Sequence, residues 1–253
     1  MSTVIDGKIV ASPTISGKRY ALVIVDEFSR FTFAFLLKSK SDAKTEIIGL
    51  FKLIKNQFNV SVKAFHSDRG GEFLNEVLDT YFISLGVIHT TTTAETPHLN
   101  GLAERMNGVL VNTDRAMLIQ AQAPIPLWGE GFITANYLRN LTLLQILDKR
   151  SSYELVYKVK PSIDHLRVWG CDAYILVNKR GKFDPIKVPG IFIGYSEQQY
   201  AYRILLSNGR VKISRDVSFI ENQFHQDNWG MHVSHWIQFQ VHSEQFSWQL
   251  FPV

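Results

Sequence analysis

Apolar residues come first in unbroken short runs and then at helical spacing. Tyr20 to Val25 is a continuous apolar run suited to a buried strand, Asp26 to Arg30 turns the chain, and Phe31 to Leu37 is strand-like again and rich in aromatics. Ser41 is placed to cap the next element, with Asp42 in its first turn. Ile47, Leu50, Phe51, Ile54 and Phe58 then recur at the period of a helix. Val62 to His66 predicts a short strand. Leu74, Val77, Leu78, Tyr81, Phe82 and Leu85 predict a second helix that stops at Gly86, and Val87 to Thr90 a further strand. Residues 91–101 read as a polar loop containing Pro97 and Gly101, ahead of a helix from Leu102 to Ala121. With a first strand near the N-terminus the order is βββαβαβα, which suits a mixed sheet with helices on its faces.

Pro124 and Pro126 interrupt the chain before a helix predicted from Trp128 to about Leu144. Beyond Pro161 short strands take over, opening with His165-Leu166-Arg167-Val168-Trp169-Gly170-Cys171-Asp172-Ala173-Tyr174. Ile191 to Gly194, Tyr202 to Leu206 and Arg210 to Ser214 continue them, with turn signals at Lys182-Phe183-Asp184-Pro185 and Ser207-Asn208-Gly209. Residues 223–253 follow neither period and hold three Trp, four His and scattered Phe and Gln.

With 253 residues and 45% apolar content the chain is expected to fold as one large domain or two smaller ones. A net charge of +4 and an isoelectric point near 9.1 are compatible with a polyanionic partner without requiring one. The single cysteine, Cys171, excludes an intrachain disulfide and any zinc site with two Cys ligands. No apolar run approaches the ~20 residues of a membrane span, and no secretory signal is present. These features lead us to expect a soluble intracellular protein with no membrane partner.

Two acidic motifs carry the chemistry. Asp68 lies in His66-Ser67-Asp68-Arg69-Gly70-Gly71-Glu72-Phe73, and Glu104 in Thr96-Pro97-His98-Leu99-Asn100-Gly101-Leu102-Ala103-Glu104-Arg105-Met106-Asn107, with thirty-five residues between the acids. Carboxylates converging from a strand end and a helix are what two-metal phosphoryl transfer on DNA requires. Both motifs and their spacing resemble the catalytic core of retroelement integrases, most closely the copia type of LTR retrotransposon. The resemblance implies an α/β, ribonuclease-H-like core, with a mixed five-stranded sheet and flanking helices, over residues 1–150. A helical linker, 151–164, and a small SH3-like β-barrel, 165–222, would follow; 223–253 are unassigned. The barrel's share of the likeness rests on His165-Leu166-Arg167, Gly181-Lys182-Phe183 and Ile193-Gly194-Tyr195.

By the same resemblance, Asp68 and Glu104 are the second and third catalytic carboxylates and bind Mg2+ (or Mn2+). The first belongs to a strand-one motif ending in Gly-Pro, to which Gly7-Lys8 corresponds. Three residues before Gly7 stands Val4 and not an acid, so Asp6 is the candidate for catalysis and metal binding. Its other reading is a turn residue beside Gly7. Asp26, the competing acid, fits a structural turn after the second strand. Asn100, in a loop resembling the mobile loop of integrase sites, is a candidate nucleic-acid contact, and Arg105 and Asn107 are candidate phosphate or sugar contacts. Lys179, Arg180, Lys182 and Lys187 form either a DNA-facing patch or an ordinary solvated surface. Cys171 reads as a small buried residue, and Trp128 and Trp169 as core.

The implied function is 3′-end processing and strand transfer, inserting element cDNA into host DNA. The implied partners are DNA, as cDNA ends and chromosomal target, and further copies of the chain in a homo-multimer. The implied location is the nucleus, with a cytoplasmic virus-like particle stage. The displaced first acid, the lack of the family's His2Cys2 zinc domain and the aberrant tail lead us to expect an inactive remnant of a longer protein. The rivals are a non-catalytic nucleic-acid-binding remnant and a ribonuclease-H-like nuclease.

Overall fold

The computed structural model describes residues 12–91, 97–176, 187–196, 200–224 and 229; of residues 97–100 it describes only the backbone. The first half runs β1 (Tyr20–Val25), β2 (Thr32–Leu37), α1 (Ala43–Phe58), β3 (Ala64–Ser67), α2 (Glu76–Leu85), β4 (Ile88–Thr91), α3 (Pro97–Gln120) and α4 (Trp128–Leu141). Successive side chains of β1 point to opposite faces of the sheet. Leu22 and Ile24 join a core with Ile47, Leu50, Phe51, Phe65, Leu78 and Phe82. Ala21, Val23 and Val25 join a second core with Ala103, Met106, Leu110, Trp128 and Phe132. Helices α1 and α2 therefore cover one face of the strand, and α3 and α4 the other.

β1 pairs antiparallel with β2, from Tyr20 opposite Leu37 to Val25 opposite Thr32. The Asp26 carboxylate closes the turn between them, accepting from the Ser29 amide (2.9 Å) and hydroxyl (2.6 Å). β3 pairs parallel with β4, from Ala64 opposite Ile88 to Ser67 opposite Thr91. Among the described residues these four strands form two separate pairs, β1–β2 and β3–β4, with no ladder joining them into the expected mixed sheet; the expected first strand, with Asp6, lies outside the described residues.

Several boundaries differ from the sequence reading. Ser39, not Ser41, starts the turn before α1: its hydroxyl donates to Asp42 Oδ1 (2.9 Å), while Asp42 Oδ2 accepts from the Lys38 (3.1 Å) and Ser39 (3.0 Å) amides. Helix α2 ends at Gly86 as expected, with φ +66°. Its apolar stripe is narrower than predicted, with Leu78 and Phe82 buried while Leu74, Val77 and Leu85 are exposed. Helix α3 begins at Pro97 and takes in part of the predicted loop, because proline's missing amide proton costs nothing in a first helical turn. Helix α4 stops at Leu141; after it, β5 (Leu143–Leu144) pairs with β6 (Arg150–Ser151), and α5 (Ser152–Tyr157) follows.

The C-terminal half is a five-stranded antiparallel sheet. Its strands are β7 (Asp172–Leu176), β8 (Lys187–Ser196), β9 (Ala201–Leu206), β10 (Val211–Ser214) and β11 (Val217–Ile220), in spatial order β10-β9-β8-β7-β11. Cys171, Ala173, Ile175, Phe192 and Ile204 fill its own core. The sheet docks on α4. Arg203 grips Glu130 with two hydrogen bonds of 3.0 and 2.8 Å, Tyr137 stacks on Tyr195 at 4.6 Å between ring centroids, and Tyr137 Oη pairs with His165 Nε2 at 2.6 Å. From the unassigned tail, Trp229 is buried and donates to the Ala121 carbonyl (3.1 Å).

Helices α3 and α4 meet at an unusual pair. Asp114 is buried on α3 facing Gly131 of α4, and its Oδ1 has no hydrogen-bond partner among the described residues. A Cβ on Gly131 would stand 2.1 Å from that oxygen, so only glycine lets the helices approach here. Burial pushes the Asp114 carboxyl up to about 8 from its ordinary 3.8.

A raised carboxyl pKa means that the folded state holds a proton the unfolded chain releases above pH 3.8, so stability falls as pH rises from about 4 to about 8. At pH 7 that loss is about 4 kcal/mol. Asp114→Asn is therefore expected to raise the melting temperature more at pH 8 than at pH 5; an equal gain at both would contradict this account. Gly131→Ala is expected to destabilise by about 1–3 kcal/mol through overpacking. Helix propensity alone would stabilise by about 1 kcal/mol, so the sign of the shift in urea midpoint separates the two effects.

Candidate active site

Asp68 stands directly beyond the C-terminal end of β3. Its Oδ1 accepts the Gly70 amide proton at 2.8 Å, the side-chain-to-backbone turn that aspartate forms two residues on. A Cβ on Gly70 would fall 2.9 Å from that oxygen and 2.8 Å from Glu72 Oε2. The glycine thus lets two carboxylates crowd one small volume. Glu72 is largely buried and pairs with Lys40 at 3.2 Å, which offsets its charge. The sequence reading passed over Glu72; its only signal there was its place one turn beyond Asp68.

Glu104 lies exposed on α3, beside the buried Ala103. Helix α3 packs against β1 and against β3, the strand that delivers Asp68. Asp6, the third expected ligand, lies outside the described residues, and among those residues no cluster of three or more His, Cys, Asp or Glu forms a metal site.

Of the expected nucleic-acid contacts, Arg105 is exposed and its Nε donates back to the Gly101 carbonyl at 3.0 Å. Asn107 corrects the sequence reading. It is 5% exposed, turned inward with Ala103, Leu110 and Asp114, so its side chain does not present to a phosphate or sugar. Val109, two residues on, is exposed. The side chains of His98 and Asn100 lie outside the described residues, as do Lys179, Arg180 and Lys182, while Lys187 is exposed.

Behind Asp68 the β3–β4 ladder carries polar groups on both faces. On one, His66 Nδ1 pairs with the Thr90 hydroxyl. On the other, the fully buried Ser67 hydroxyl lies 2.9 Å from the Asp68 carbonyl oxygen and 2.9 Å from His89 Nε2. His89 Nδ1 faces Asp79 Oδ1 of α2 at 3.6 Å, an electrostatic contact longer than a hydrogen bond. Burial draws the His89 pKa below the ordinary histidine value, against the opposing pull of Asp79.

Comparison with known proteins agrees with the motifs. Residues 2–97 match the integrase core domain family, and residues 171–228 the retroviral polymerase SH3-like domain. The retrovirus-related Pol polyprotein from transposon RE1 of Arabidopsis thaliana is 36% identical over 224 residues, 87% of this chain and 15% of the relative. The corresponding polyprotein from transposon TNT 1-94 of Nicotiana tabacum is 33% identical over 213 residues, 83% of this chain and 16% of the relative. The chain thus spans about 15% of the length of these relatives.

Two solved structures share part of its shape. One is the simian T-cell lymphotropic virus intasome in complex with PP2A regulatory subunit B56 gamma (TM-score 0.48, 18% identity, 85% of this chain and 76% of that one). The other is the HTLV-2 integrase catalytic core domain in complex with magnesium, a trimeric form (TM-score 0.45, 19% identity, 61% of this chain and 95% of that one). With an integrase core motif set in its first half and an SH3-like match in its second, the chain belongs to the retrovirus-related Pol polyproteins of copia-type retrotransposons and carries their integrase region.

Proposed function

We propose that this region performs metal-dependent 3′-end processing and strand transfer, joining element cDNA to host DNA. The observation that carries the reading is that Asp68 stands at the end of β3 and Glu104 on α3, a helix that packs against β3. The same proposal takes residues 1–150 as a ribonuclease-H-like core, 151–164 as a linker and 165–222 as an SH3-like barrel. It takes the working form as a homo-multimer on DNA in the nucleus.

The donor chemistry fits magnesium or manganese, since Asp68 and Glu104 offer hard carboxylate oxygens that are at least partly open to solvent. Asp6 would be the third ligand. Such cations, when bound, would supply Lewis acidity to the oxygens of the phosphodiester under attack. Asp68 and Glu104 fix the site between strand end and helix, and the Gly70 amide holds Asp68 Oδ1 in one orientation. In processing, a water oxygen forms a bond to phosphorus and the bond to the 3′-oxygen breaks, freeing a 3′-hydroxyl. In strand transfer that hydroxyl attacks a target phosphodiester, and the target's own 3′-oxygen leaves with a proton. Arg105, exposed one residue beyond Glu104, is placed to touch a phosphate.

The purified chain, mixed with duplexes ending in the element's terminal repeat and with Mn2+, tests this reading against the inactive remnant expected from the sequence: processed and joined products support the first, their absence the second. Asp68→Asn and Glu104→Gln should each lower the rate by roughly a hundredfold or more, because each removes a ligand whose cation supplies several kcal/mol in the transition state. Salt-sensitive DNA binding with no product would instead support the non-catalytic reading. Arg105→Ala is expected to leave the melting temperature unchanged and to reduce the slope of log affinity against log salt by about 1. An unchanged slope would remove Arg105 from the DNA interface.

A further inference from the structure

We propose that Ser67, His89 and Asp79 form a positioning chain that sets where the Asp68 carboxylate stands, and thereby the site's affinity for a divalent cation. The inference rests on the reading of Asp68 as a metal ligand given above. The Asp68 side chain direction follows from the orientation of its own peptide units. One of these is pinned, because the Ser67 hydroxyl reaches the Asp68 carbonyl oxygen at 2.9 Å. With its one proton given to that carbonyl, the hydroxyl accepts in turn from His89 Nε2–H, also at 2.9 Å. The His89 ring cannot swing freely: it sits against Phe65 at 5.4 Å and edge-on to Phe82 at 5.1 Å. Its far nitrogen faces Asp79 of α2. The ring, fixed by its packing, thus sets a hydroxyl, and the hydroxyl sets the peptide of a metal-binding residue; Asp79 adds to the hold on the ring when both ring nitrogens carry protons. Supporting contacts of this kind orient metal ligands in many sites.

A serine, a histidine and an aspartate in this order also resemble a nucleophilic triad. Two facts argue against that use. Ser67 is 0% exposed, so no substrate carbonyl can approach it. Its hydroxyl already lies against the Asp68 carbonyl, where a nucleophile would need an open face. The geometry suits holding and not attack.

The test is a Mn2+ titration of the full chain, followed by electron paramagnetic resonance, with melting temperatures recorded in parallel without metal. Asp68→Asn sets the scale for loss of a ligand. Ser67→Ala is expected to weaken Mn2+ binding roughly 10–100-fold, and Ser67→Thr, which keeps the hydroxyl on a strand-compatible side chain, to restore most of it. Asp79→Asn, at a half-exposed position, is expected to shift binding in the same direction by a smaller factor with an unchanged melting temperature. If Ser67→Ala melts too low to titrate, Asp79→Asn and Ser67→Thr decide. Wild-type Mn2+ affinity in Ser67→Ala and Asp79→Asn, with binding lost in Asp68→Asn, would overturn the positioning chain and leave the metal assignment standing. Equal Mn2+ binding, or none, in the wild type and Asp68→Asn would overturn both.

Discussion

The fold depends on β1 being covered on both faces. A strand whose residues are apolar on both faces has no side that tolerates water, so it must lie between two helical layers. In this chain α1 and α2 supply one layer, and α3 and α4 the other. That arrangement brings α3 alongside β3, and the candidate site follows from it: one carboxylate at a strand end, another on the helix packed beside it. The chemistry sits at an edge of the burial that makes the domain fold.

Much of this was legible in the sequence because it is local. The runs at Tyr20–Val25 and Phe31–Leu37, the period of α1 and the stop at Gly86 each depend on a few neighbouring residues. The Asp68 and Glu104 motifs were legible for the same reason. What escaped was set by tertiary contact. Asp114 and Asn107 look like surface residues of a polar helix, yet the close approach of α4 at Gly131 buries Asp114, and Asn107 turns inward with it. His89 looks like one residue in a short strand. Only the parallel register of β3 and β4 brings its ring to Ser67. Glu72 gains meaning from the fold of the turn after Asp68, which a count along the chain does not reveal.

The buried polar groups have different standings. Asn140 is well served, since its side-chain amide bonds both the amide and the carbonyl of Thr32 (2.9 and 2.8 Å) and so completes the outer edge of β2 where no further strand is described. Asp114 is poorly served and keeps its proton instead. The first arrangement fixes register, whereas the second makes the α3–α4 seam sensitive to pH.

Helix α4 has no idle side. Trp128, Phe132 and Ala135 fill the core under β1, and Gly131 admits α3. Asn140 caps β2, while Glu130 and Tyr137 hold the C-terminal sheet. A surface helix can drift in sequence on its wet face; this one answers to four neighbours at once. Its fourteen residues are therefore where chance substitution should be tolerated least, and where a copy of the element no longer under selection should first show its decay.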